Sequence, residues 1–111
     1  MDEAGDNRRD DEVLGARLRE ASGSDDDLDR AVAVSFAVSD GDYTASTERA
    51  RDLVAKALPD WRLHVGFNAS GVMPYAALSR DGRHVEAAAP TLPLAILRAA
   101  WSARFENGNE G

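Results

Sequence analysis

A chain of 111 residues with 43% apolar side chains is sized and composed for one packed domain. Its twenty acidic and thirteen basic residues leave a formal charge of −7, and residues 1–30 alone hold eleven of the acids against five bases. Without a basic stripe, direct binding to nucleic acid or an anionic membrane is not expected, and without cysteine there are no disulfides, thiolate metal sites, iron–sulfur clusters or thiol nucleophiles.

Residues 1–27 read as an acidic, partly disordered arm. Asp2, Glu3, Asp6, Asp10, Asp11 and Glu12 crowd its start, and residues 22–27 have the composition of a linker. Val13, Leu14, Leu18 and Ala21 fall at helical spacing, which allows a short amphipathic helix over 11–21. Such a helix is marginal alone, and Gly15 costs it about 1 kcal/mol, so it needs a surface to dock on. No apolar run is long enough to span a membrane, and acids stand where a secretory signal carries bases. The expected setting is cytoplasmic.

Residues 28–38 fit two patterns. Val32, Val34, Phe36 and Val38 alternate as in a strand, whereas Leu28, Val32 and Phe36 repeat every fourth residue behind capping aspartates at 25–27. Pattern alone leaves both open. Asp40-Gly41-Asp42 reads as a turn. Ser46 then caps a helix over 47–58, with Ala50, Leu53, Val54, Ala57 and Leu58 on one stripe and Pro59 ending it.

The period then changes to two. Trp61, Leu63, Val65 and Phe67 share one face of a strand over 61–67. Residues 68–71 supply a turn, and further strands follow over 74–79 and 83–88. Asp81-Gly82 is a favoured pair for a two-residue hairpin loop. Thr91 caps a last helix over 92–105, whose broad stripe of Leu94, Leu97, Trp101 and Phe105 is widened by Ile96 and alanines. Residues 107–111 form a polar tail expected to fray.

Tyr43-Thr44-Ala45-Ser46 leads into a helix closing at Leu58-Pro59-Asp60-Trp61. After the hairpin, Glu86-Ala87-Ala88-Ala89-Pro90-Thr91-Leu92-Pro93-Leu94-Ala95-Ile96 runs into Leu97-Arg98-Ala99-Ala100. Over roughly residues 28–104 the chain thereby resembles the phage ABA sandwich domain family of small phage and prophage proteins. It departs from that family in the short segment before Tyr43 and in its acidic arm. The resemblance implies a helix over 28–37 and brings no catalytic residues to carry over.

The expected fold is α+β: a three-stranded antiparallel sheet layered with helices as a small α/β/α-type sandwich, over residues 28–106, behind the acidic arm. Open edges on so short a sheet invite homodimerisation by strand addition.

Sites of chemistry are sparse. His64 and His84, read as lying on adjacent strands and facing the same way as Arg62 and Glu86, make a thin metal-ligand set, the alternative being a half-solvated polar sheet face or histidines covered by a helix. Ser46, Ser70 or Ser79 with either histidine satisfies a hydrolase inventory at no known spacing, and Ser46 and Ser70 are better explained as cap and turn. Gly66 to Gly71 lacks the following helix and lysine of a phosphate cradle. No cofactor is expected.

Two groups remain as candidates for binding a protein. Asp25, Asp26, Asp27 and Asp29 form an acidic cluster, and Arg98, Trp101, Arg104 and Phe105 an aromatic–arginine patch of the kind enriched at interface hot spots. The arm is a solvated tail, an interaction arm, or a helix covering its own fold. The expected function is non-enzymatic: a phage or prophage protein that binds a protein partner. Its sharpest form is an anti-CRISPR-type inhibitor whose carboxylates occlude the nucleic-acid channel of a host effector. The alternatives are a virion morphogenesis accessory and a small enzyme or metal-binding protein using the His64/His84 face.

Overall fold

The computed structural model describes residues 3–67, 71 and 73–106; the tail at 107–111 and the turn residues 68–70 lie outside them. The elements run α1 (Glu3–Glu20), α2 (Asp26–Phe36), α3 (Thr47–Ala57), β1 (Arg62–Phe67), β2 (Pro74–Arg80), β3 (Arg83–Ala88) and α4 (Leu92–Trp101), closing in a π-helical turn, Ser102–Glu106. This is an α+β fold with a three-stranded antiparallel sheet, the class expected from the sequence.

The capping aspartates decide the ambiguous stretch. The Asp25 side chain accepts hydrogen bonds from the backbone N–H groups of Asp27 and Leu28, at 3.0 and 3.1 Å. Those donors have no intrahelical partner, and the carboxylates of the first turn face the positive end of the helix. Leu28, Val32, Ala33 and Phe36 are buried along the resulting stripe. Val34, which a strand would place on the same buried face as Val32 and Phe36, is 78% exposed.

The sheet order is β1-β2-β3, and both pairings are antiparallel. Asp81 and Gly82 carry φ values of 47° and 84°, the positive-φ pair that lets a two-residue loop match the strand twist. On the apolar face, Leu63, Val65, Val85 and Ala87 flank the fully buried Ala76 and Leu78 of the central strand. Phe67, at the end of β1, stays 61% exposed. The opposite face leaves Arg62, His64, His84 and Glu86 in solvent.

Helix α4 lies between layers. It packs on β2 and β3 and also on α1 and α3, which explains why Leu94, Ala95, Ile96, Leu97, Ala99 and Ala100 are all buried around its girth. The helix expected over 11–21 extends across Glu3–Glu20 and is docked: Leu14 and Leu18 are each 1% exposed within the core. Among the described residues, no helix is long and apolar enough to cross a membrane.

Candidate functional site

The acidic cluster divides into carboxylates that build the fold and carboxylates that face water. Asp29 is 8% exposed and accepts two hydrogen bonds from Thr44, from its backbone N–H and its hydroxyl, both at 2.7 Å. Thr44 Oγ1 in turn accepts from the Asp25 backbone N–H at 2.9 Å. Asp29, expected to meet a partner, therefore faces inward, because a buried threonine supplies both donors its charge requires. Asp25 is exposed, but its side chain is engaged as the α2 cap.

The same latch draws in residues that were read only as a turn. The chain reverses at Asp42–Ser46, where Ala45 and Ser46 N–H groups bond to the Asp42 carbonyl. Tyr43 is buried and donates to the Ser39 carbonyl, and its ring lies over Gly41, where an added Cβ would sit 3.2 Å from it. Burial raises the Tyr43 hydroxyl pKa above its ordinary value, with neighbouring Asp40, Asp52 and Asp29 adding to the effect and Arg49 opposing it. Asp40 and Asp42 thus stand across from Asp26 around a cleft of about 250 Å³ that Arg30 also lines. Its ion pairs are loose and exposed: Arg30 to Asp27 at 3.9 Å, and Arg49 to Asp42 at 3.6 Å. Negative charge dominates this end of the molecule.

The aromatic–arginine group lies elsewhere. Phe105 meets Phe36 at the far end of α2, edge to face with ring centroids 5.5 Å apart. An 11-residue helix is about 16 Å long, so the two candidate groups do not form one surface. Arg98 is engaged by backbone carbonyls: Nε donates to Leu18 O at 2.7 Å, Nη1 to Ala88 O at 2.8 Å, and Nη2 to Arg19 O and Ala21 O. These are acceptors that the end of α1 and the last residue of β3 leave open. Desolvation, and then Arg19, hold the Arg98 guanidinium below its usual pKa.

Trp101 is likewise structural. Its indole N–H donates to Asp11 O at 2.8 Å, and its ring lies so close to α1 that a Cβ on Gly15 would come within 2.4 Å of it. Gly15, a weak point in an isolated helix, is what permits the contact. Of the four, Arg104 is the exposed member, its guanidinium 5.7 Å from the ring centres of both Phe36 and Phe105. Nothing in local spacing marks Arg98 or Trp101 as a clamp, because their partners on and just after α1 lie between 77 and 90 residues away.

On the polar sheet face, His64 and His84 point the same way but sit on the two outer strands with β2 between them. Two strand spacings and a two-residue offset in register separate them by roughly 12 Å, and among the described residues no three ligating side chains gather to hold a metal. Ser79 is the register partner of His84, whose Nε2 is 3.5 Å from Glu86 Oε1. This Ser–His–Glu set lies on the open face, with both His84 and Glu86 more than half exposed. Ser46 caps α3, accepting from Arg49 N–H. Ser70 lies outside the described residues.

The chain matches no protein-family model, no curated protein and no solved structure.

Proposed function

We propose that this is a non-enzymatic phage or prophage protein that works in the host cytoplasm by binding another protein, with its acidic end as the contact. The observation that carries this reading is the cleft where Asp26, Asp40 and Asp42 stand together beside Asp27, held in place from beneath by the buried Asp29–Thr44 latch. Carboxylates carried on a backbone that the latch holds in place present a field that steers a cationic partner. The complementary surface is a cluster of arginines and lysines of the kind that grips a phosphate backbone. The sharpest version is an anti-CRISPR-type inhibitor of a host nucleic-acid-handling effector, acting by occupying that effector's channel.

The residues assigned to the contact are Asp26, Asp27, Asp40 and Asp42, with Asp25 and Asp29 as supports. A tagged chain is passed through nuclease-treated lysate of infected host cells, beside the variant Asp26→Lys, Asp40→Lys, Asp42→Lys. The expected result is one nucleic-acid-binding protein retained by the native chain, released by rising salt and not captured by the variant. Equal capture by both chains, or binding indifferent to salt, would overturn the acidic contact. Recovery of virion proteins alone would move the function to morphogenesis.

A further inference from the structure

A second surface, which adjoins the acidic cleft at Arg30 but is lined mainly by apolar side chains, lies where α1 and α2 run side by side. The two helices are antiparallel, joined by a short connection, with the Asp11 side chain hydrogen-bonded to Ser35 near the far end. Between them lies a groove of about 380 Å³ floored by Leu14 and walled by Val13, Ala31 and Val34. Val13 is 51% and Val34 78% exposed. With Phe67, they are the large apolar side chains that the described residues leave in solvent.

The charges around this groove are arranged as a palindrome. Asp10, Val13, Leu14 and Arg17 form one stripe of α1, and Asp10 and Arg17 lie equally far, about 5 Å, on either side of the point between Val13 and Leu14. Arg30 of α2 adds a second cation to the groove lining. A two-fold interface requires each residue to face its counterpart reciprocally. An antiparallel pairing centred midway between Asp10 and Arg17, beside the exposed Val13 and over the buried Leu14, meets that condition. It sets Asp10 of each copy opposite Arg17 of the other, with the exposed valines between.

We propose that the α1/α2 groove is the interface of a two-fold homodimer, its occupant a second copy of this chain. The groove draws on part of each helix only, so its exposed lining is small and places the dimer at the weak end of specific interfaces. Both ion pairs are rim-exposed, so salt weakens the association.

The test is sedimentation velocity on the full chain from about 5 μM to about 1 mM, a range that brackets a dissociation constant of tens to hundreds of micromolar. A monomer–dimer equilibrium is expected, shifted toward monomer by added salt. Val34→Glu places a charge on an already exposed position and is expected to abolish the dimer while leaving the melting temperature unchanged. Asp10→Arg and Arg17→Asp are each expected to weaken it at least tenfold, whereas an equimolar mixture of those two variants restores it, because each then meets its opposite charge. A native chain that remains monomeric throughout would overturn the proposal. So would a dimer that survives Val34→Glu, which would assign pairing to the sheet edges, or a mixture with no recovery.

Discussion

The entry of α2 and the seam between α1 and α4 solve the same problem with opposite charges. At the entry, backbone N–H groups lack partners, and Asp25 and Asp29 supply acceptors to helix and latch. At the seam, the last carbonyls of α1 lack partners, and Arg98 supplies donors, with Trp101 bonding an earlier carbonyl on the same helix. In each group the members beside them, Asp26 and Asp27 at one end and Arg104 at the other, remain in water. A run of like charges is therefore not one functional unit. Which members hold the fold is set by the unsatisfied backbone groups within their reach.

The seam should be the costlier side to break. Trp101→Ala removes a large ring wedged against Gly15 and is expected to lose about 3–5 kcal/mol, which lowers the melting temperature by more than about 10 °C. Gly15→Ala sharpens the point because its sign depends on the ring. In the native background the new methyl meets Trp101 and costs about 1–3 kcal/mol. In the Trp101→Ala background the clash is gone, and the better helix former gains about 1 kcal/mol. Thermal denaturation of the four chains followed by circular dichroism gives the cycle. Additive effects would show that the two side chains do not share this contact.

The α2 entry is expected to yield a graded series. Asp29→Ala strands the buried Thr44 N–H and hydroxyl and should cost about 1–3 kcal/mol. Asp25→Ala removes the cap and costs about 1 kcal/mol. Asp26→Ala, on the exposed first turn, stays within about 0.5 kcal/mol. Urea unfolding orders the three, and the order would fail if Asp26→Ala proved as costly as Asp29→Ala.

Local signals in the sequence were sufficient for most elements and silent on the joints between them. Ser46 and Thr91 cap the helices they were expected to cap, and Asp81-Gly82 turns the hairpin, because caps and turns are settled within four residues. The girth of α4 was visible as an apolar stripe too wide for a surface helix. Residues 28–38 were ambiguous because the deciding hydrogen bonds come from Asp25, outside the stretch itself. The Asp29–Thr44 latch spans 15 residues and the Arg98 clamp about 80, and no spacing rule connects such pairs. The acidic cleft was half legible for that reason. Asp26 and Asp27 were picked out by local charge, while Asp40 and Asp42 join them only through the latch.

A last, smaller effect separates the two regions by pH. Asp11 lies on the seam, and burial raises its carboxyl above the ordinary range; the Ser35 hydrogen bond opposes this, Asp10 adds to it, and Arg104 opposes it. A carboxyl with a raised native pKa binds its proton more tightly in the folded chain than in the unfolded one. Its contribution to stability is fully present below the ordinary carboxylate range and is lost as pH rises through the raised value. Asp11→Asn keeps an acceptor for Ser35 and carries no charge at any pH. The melting temperature of this variant relative to the native chain is therefore expected to climb as pH rises through and above the ordinary carboxylate range. A difference that stays flat over that rise would mean that Asp11 titrates as it does in water, and that the seam is wetter at this point than its packing implies.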